Sequence, residues 1–300
     1  MKLEQRAHWI VRSVGERTTD ACVALVKLAA RGEPVEVIQK TPHTEAFRAV
    51  WESGVSSGKE WTVCVDADIL SLPEALREVL AEALRTDRRT FVVQSLMVDN
   101  LIPIIRASGA HLYRNTYAKT ALDLIPAPGA AKRPENHTNI ALIKRGGVIR
   151  QSATITGIHD FEQDYADLYR KGFVHARKHA DVGEKLWKNW QQRAVHDRDL
   201  EAALLGVNAS RKAGPELILD PNFLQEARQR DLNLHRFEPK PPFRPVPVAW
   251  VEERLQTFPI DSEIQPLRFT RWNQTYDIGR TPSLGSRILN KVRWLKRRLF

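Results

Sequence analysis

Over the first hundred residues, short β-branched apolar runs alternate with stretches patterned for amphipathic helices. Residues 8–14 (HWIVRSV) predict a strand ended by Gly15, and residues 18–31 a helix closed by Gly32. Residues 35–39 follow as a strand, then 42–55 as a helix with Phe47, Val50 and Trp51 on one face. Residues 61–65 are a third strand. A helix over 73–84 follows, with Leu76, Val79, Leu80 and Leu84 aligned and Ser71 placed to cap it, and then a strand over 91–96. This rhythm builds βαβ units, so the expected fold is α/β, a mostly parallel central sheet flanked by helices. With 300 residues, 42% hydrophobic and 27% charged, the chain can bury such a core. Its apolar runs are strand-sized, which excludes a membrane-spanning helix. The opening residues, Met1 to Arg6, have no apolar signal core, and a cytoplasmic protein is expected. Cys22 and Cys64 sit in apolar runs and form no disulfide framework.

Beyond residue 100 the alternation breaks. Residues 101–124 read as mixed and partly helical, and 126–138 as a polar loop rich in Pro and Gly. Residues 139–145 and 148–156 predict a hairpin turning through Gly146-Gly147. A long helix is expected over 160–180, with Phe161, Tyr165, Leu168 and Phe173 near helical spacing, then a polar helical section through Gly206. Residues 239–247 form a Pro-punctuated strap. The chain thus divides into 1–182, which carries the sheet, and 183–300, a helical and Pro-rich extension.

The sharpest chemical feature is Val63-Cys64-Val65-Asp66-Ala67-Asp68. A buried strand presents two carboxylates at its carboxyl end, where ligands bind in open α/β sheets. Hard oxygens of this kind suit magnesium or manganese, which share their shell with substrate phosphates. The same residues equally suit a strand end followed by an aspartate helix cap. Further on, Gly157-Ile158-His159-Asp160-Phe161-Glu162 brings an imidazole and two carboxylates to an element junction, where Asp160 also suits a helix cap.

Residues 8–180, and above all the phrase from Ser57 to Asp68, resemble the nucleotide-sugar-dependent glycosyltransferases of the GT-A fold, family-2-like, with their Asp-x-Asp motif. The resemblance implies a Rossmann-like sheet and a catalytic domain over 1–182 that moves a sugar from a nucleotide-diphosphate sugar to a saccharide or lipid-linked acceptor hydroxyl. It implies Mn2+ or Mg2+ as cofactor, held by Asp66, Asp68 and His159, with Asp66 alternatively on the donor ribose. Arg12, Gly15 and Arg17 take the place of the family's first nucleotide loop; Asp160 and Glu162 are candidates for the base, and Arg133 and Glu135 for the acceptor. Where inverting members carry an acid facing the nucleobase, this chain reads Lys40-Thr41-Pro42-His43.

Asp99-Asn100 ends a strand on the ligand side, as site or as turn. His175 and His179 are four apart and suit a shared metal or a solvated basic face; Trp187 and Trp190 suit sugar stacking or a core stripe. A haloacid-dehalogenase-type phosphatase also ends a strand in Asp-x-Asp, but its downstream Asp-Asp pair is absent here.

The formal charge of +10 admits nucleic acid, an anionic membrane or a phosphorylated substrate as partner. The segment from Arg287 to Phe300 (RILNKVRWLKRRLF) holds six basic residues and no acidic one, which leaves +10 − 6 = +4 for the rest. Its apolar residues recur at helical spacing. This predicts a basic amphipathic helix, either peripheral on an anionic membrane surface or docked on the domain. No nucleic-acid-binding motif accompanies the charge, and none is expected as partner.

Overall fold

A computed structural model describes residues 2–131, 133–178, 183–213 and 225–261 of the chain. Its strands are β1 (Ala7–Ser13), β2 (Val35–Gln39), β3 (Trp61–Asp66), β4 (Ile69–Ser71), β5 (Thr90–Asp99), β6 (Ile104–Arg114) and β7 (Val148–His159). The helices around the sheet are α1 (Thr19–Ala30), α2 (His43–Ser56), α3 (Pro73–Ala83), α4 (Ala118–Leu124) and α5 (Pro134–Ile143). There follow α6 (Tyr165–Lys178), α7 (Gly183–Arg193), α8 (Arg198–Lys212), α9 (Gln225–Leu234) and α10 (Val248–Thr257).

The strands form one seven-stranded sheet in the order β2-β1-β3-β6-β5-β7-β4. It is mixed: β2, β1, β3, β5 and β7 share a direction, and β6 and β4 oppose it. Alternation along the strands sends Trp9, Val11, Val63, Val65 and Leu112 against α1 and α3. Ile10, Cys64, Val92 and Tyr113 face α2, α4 and α5 on the other side. Both faces are covered, which is why the strands read as continuous apolar runs. Burial pushes the Cys64 thiol up to about 12, so it is an inert core group.

Four expectations are corrected. Residues 101–124 are helical in part, as expected, in α4, but also contain β6, a long strand whose Arg106, Ser108 and His111 interrupt the apolar pattern and whose backbone pairs with β5 and β3. Residues 139–145 are not a strand but the end of α5, which Pro134 opens from its first turn; a short apolar run without its partners fits either state. No hairpin forms, and Gly146, at φ 88°, closes α5 before β7. The long helix starts at Tyr165 rather than 160, because Asp160 and Glu162 take left-handed backbone angles of 58° and 59°. Finally, Ser71 makes no cap; Leu72 occupies that position and the Ser71 hydroxyl is buried without a partner.

Helices α6 to α9 share an apolar cluster that also takes in Leu101, Ile102 and Ile104. A Cβ on Gly172 of α6 would fall 1.9 Å from the Ala203 carbonyl oxygen, and one on Gly206 of α8 equally close to that of Tyr169. The two helices therefore cross with backbone against backbone. Trp187 and Trp190 belong to this cluster, and the Trp190 indole donates to the Leu101 carbonyl at 2.5 Å, so they are core. His179 and the segment from Arg287 to Phe300 lie outside the described residues. Among the described residues, no helix is long and apolar enough to cross a membrane.

Candidate functional site

The carboxyl ends of β3, β5 and β7 build the site. Asp66 is the last residue of β3 and lies beside Arg12 of β1 in the parallel register. Arg12 grips it at both oxygens, Nε to Oδ1 at 2.7 Å and Nη2 to Oδ2 at 3.0 Å. Ala67 is then pinned from both sides. Its N–H donates to the Arg12 carbonyl at 2.9 Å, and its carbonyl accepts from the Thr18 hydroxyl at 2.8 Å. Asp68 leads directly into β4, which pairs antiparallel with β7 so that Ile69 stands opposite His159. On the other edge of β7, His159 lies beside Asp99 of β5. A side chain on Gly157 would meet the Leu70 carbonyl oxygen at 2.3 Å, so β4 docks only because that residue has none.

The result is a buried group of charges. His159 Nδ1 lies 3.1 Å from Asp99 Oδ2, and its Nε2 lies 3.4 Å from Asp68 Oδ2. Asp99 is itself held by the Ile102 N–H at 2.7 Å and by Arg106 Nε at 2.5 Å. The Asp160 N–H donates to the Asp68 carbonyl at 3.0 Å, and its carbonyl accepts from Asn100 Nδ2 at 3.2 Å. Lys171 Nζ reaches down from α6 to Asp68 Oδ2 at 2.7 Å and to Asp160 Oδ1. Burial works against the charge of His159, yet Asp160, Asp68 and Asp99 outweigh it and push the imidazole up to about 10. Burial likewise opposes the Asp68 carboxylate, but Lys171 and His159 hold it well below the usual carboxylate range.

Asp68, His159 and Asp160 each offer a ligand atom, and these lie within 4.8 Å of one another. Asp68 Oδ1 and Asp160 Oδ2 are buried without a hydrogen-bond partner; the latter lies 3.2 Å from His159 Nδ1, outside bonding geometry. The carboxylate oxygens of Asp68 and Asp160, with the imidazole of His159 once it has given up its proton, are a donor set that fits Mn2+ or Mg2+. Asp66 stands apart from this group, engaged with Arg12.

Gly15 forms the turn between β1 and α1 at φ 94°, a conformation in which a side chain is strained. Arg17 makes a different set of contacts. Its Nη1 donates to the carbonyl and carboxylate of Glu162 at 2.8 and 3.0 Å, and its Nε and Nη2 donate to the Pro241 carbonyl. Phe243 covers the guanidinium at 5.3 Å. The Pro-rich strap therefore crosses the first loop. Arg133 is exposed at the start of α5. Glu135, in the first turn of α5, accepts from the Tyr113 hydroxyl at 2.8 Å and lies 3.5 Å from His111 Nδ1 and 3.9 Å from Arg12. Burial opposes its charge, but His111, Arg12 and His43 bring its carboxyl down to about 2.

Sequence reasoning missed Lys171, Arg106, His111 and Tyr113. A lysine three residues beyond Leu168, on the apolar side of an amphipathic helix, was the available signal for the first. The others lie on β6, whose strand character was itself hidden.

No protein-family model matches the chain, and no curated protein matches it. Among solved structures, it is similar to a glycosyltransferase involved in the glycosylation of the major capsid of PBCV-1, at 15% identity and TM-score 0.35, over 51% of this chain and 82% of that one. It is also similar to a CMP:2-keto-3-deoxy-manno-octonic acid synthetase complexed with CTP, at 12% identity and TM-score 0.36, over 51% of this chain and 92% of the other.

Proposed function

We propose that the protein is a metal-dependent glycosyltransferase that moves a sugar from a nucleotide-diphosphate sugar to an acceptor hydroxyl. One observation carries this reading: Asp68, His159 and Asp160 converge at the carboxyl ends of the strands with two buried carboxylate oxygens left unpaired. A divalent ion held there would neutralise the donor diphosphate and stabilise the departing nucleotide. Asp99 holds the imidazole of His159 so that Nε2 faces Asp68. The N-terminus of α1 would supply backbone N–H groups for the diphosphate. Asp160, 1% exposed, is assigned to the ion; Glu162, 35% exposed beside Arg17, is assigned to the acceptor hydroxyl as base. Asp66 and Glu135 both face Arg12 and position it, while Arg133 is left for a saccharide or lipid-linked acceptor. The Arg12 grip on Asp66 speaks against a phosphatase that uses this carboxylate as nucleophile. The basic segment from Arg287 to Phe300 suits an anionic membrane surface near a lipid-linked acceptor.

A thermal-shift panel of nucleoside diphosphates and sugar nucleotides, with and without Mn2+, should find at least one nucleotide that raises Tm only with the ion. Transfer or hydrolysis of that donor should then be lost in Asp68→Asn. A flat panel, or turnover indifferent to Asp68→Asn, would sink the assignment.

A further inference from the structure

We propose that Lys171 is the resident cation of this site and that a divalent ion binds only by displacing its ammonium from Asp68 and Asp160. The inference rests on the ion site proposed above and adds to it the group that competes for the same oxygens.

Lys171 is 11% exposed and spends its ammonium on one oxygen of each carboxylate, Oδ2 of Asp68 and Oδ1 of Asp160. The second oxygen of each, Asp68 Oδ1 and Asp160 Oδ2, is buried and accepts no hydrogen bond, with His159 Nδ1 3.2 Å from the latter. A single ammonium therefore satisfies half of what the two carboxylates offer. Three carboxylates, the half-buried Asp68 and the buried Asp99 and Asp160, face three basic side chains, Lys171, His159 and Arg106. Lys171 supplies this group with positive charge at hydrogen-bonding distance, which is what ionised carboxylates taken out of water demand. A divalent ion added beside the ammonium would sit against like charge within a few ångströms, in a site where screening is weak.

The exchange is mechanically simple. The crossing at Gly172 and Gly206 fixes the backbone of α6, so α6 need not move. The flexible four-carbon stem of lysine can swing its compact ammonium toward water, where it is strongly hydrated. Asp99 keeps His159 in position throughout.

The test is direct Mn2+ titration by calorimetry into the full chain and its Lys171→Met variant, both cleared with chelator. The variant should bind Mn2+ at least about tenfold more tightly, since a competing positive charge is gone. Equal or weaker binding overturns the proposal, as does failure of both proteins to bind. If the variant does not fold without metal, wild-type protein still decides. Acylation of lysines read by mass spectrometry should label Lys171 slowly at first and faster once Mn2+ saturates the site. Unchanged labelling at saturation overturns the proposal. The two readings fail separately. Sugar-nucleotide binding with no effect of Lys171→Met on Mn2+ affinity leaves the function standing alone; tighter Mn2+ binding with a flat sugar-nucleotide panel leaves only the exchange.

Discussion

Asp66 and Asp68 are one residue apart in the chain yet face different partners. Asp66 ends β3 on the side of α2 and α5 and is held by Arg12, whereas Asp68 turns into β4 and meets Lys171 and His159. Ala67 between them is tied by Thr18 and by the Arg12 carbonyl, so the two carboxylates have no freedom to converge.

Their substitutions should therefore separate. Asp68→Asn should weaken Mn2+ binding by roughly 100-fold or more, exceeding the effect typical of a group that merely supports a ligand. Asp66→Asn should leave Mn2+ affinity within about threefold but lower stability by ~2 kcal/mol, because the Arg12 guanidinium loses its charged partner. Calorimetric titration and denaturant unfolding read the two effects; equal loss of Mn2+ affinity in both variants would contradict the division.

The α6–α8 crossing should tolerate no methyl group. Gly172→Ala and Gly206→Ala each bring Cβ to 1.9 Å from a backbone oxygen. Helix propensity gains about 1 kcal/mol from either change, but the forced separation should cost more, for a net loss of ~2 kcal/mol. Urea unfolding checks this, and an unchanged midpoint would show that the helices slide freely.

Arg17 ties the strap to the first loop. Replacing it with Met removes the hydrogen bonds to Pro241 and Glu162 while keeping the stem. Amide exchange around residues 239–247 should quicken by about tenfold, equivalent to ~1.4 kcal/mol of local stability. Exchange as slow as in wild type would mean that the strap is held elsewhere.

Glu135 should make the fold acid-sensitive. Its carboxyl is lowered to about 2, against 4.5 in the unfolded chain, by His111, Arg12 and His43 acting against burial. A depressed carboxyl stabilises above its unfolded value and ceases to do so as pH falls through its folded one. The contribution is ~3 kcal/mol at neutral pH and should fade between pH 4.5 and 2. Glu135→Gln should be less stable at pH 7 and show a flatter decline over that window in chemical denaturation; parallel curves for the two proteins would exclude this role.

The βα units up to residue 96 were legible because their strands are buried on both faces and their helices carry single apolar stripes. The strand end at Asp66-Ala67-Asp68, the imidazole at His159 and the acid at Asp99 were legible as polar groups interrupting apolar runs at strand ends. β6 was hidden because Arg106, Ser108 and His111 break its apolar run at irregular spacing, so a clean alternation between inside and outside is lost. The hairpin expected at Gly146 failed because the four-residue apolar run Ile140 to Ile143 is compatible with strand or helix until its partners are known.

The sequence by itself determined which residues had chemistry to offer and where the strands delivered them, since periodicity and strand ends are local properties. Only the tertiary structure decided which of them act together. The three-residue β4, whose register with β7 sets Asp68 beside His159, is too short to leave a periodic signal. Lys171 lies 103 residues beyond Asp68, and its ammonium is brought there by packing of α6 on α8. A charge buried against carboxylates so distant in the chain is a property of the fold's closure, and no local pattern encodes it.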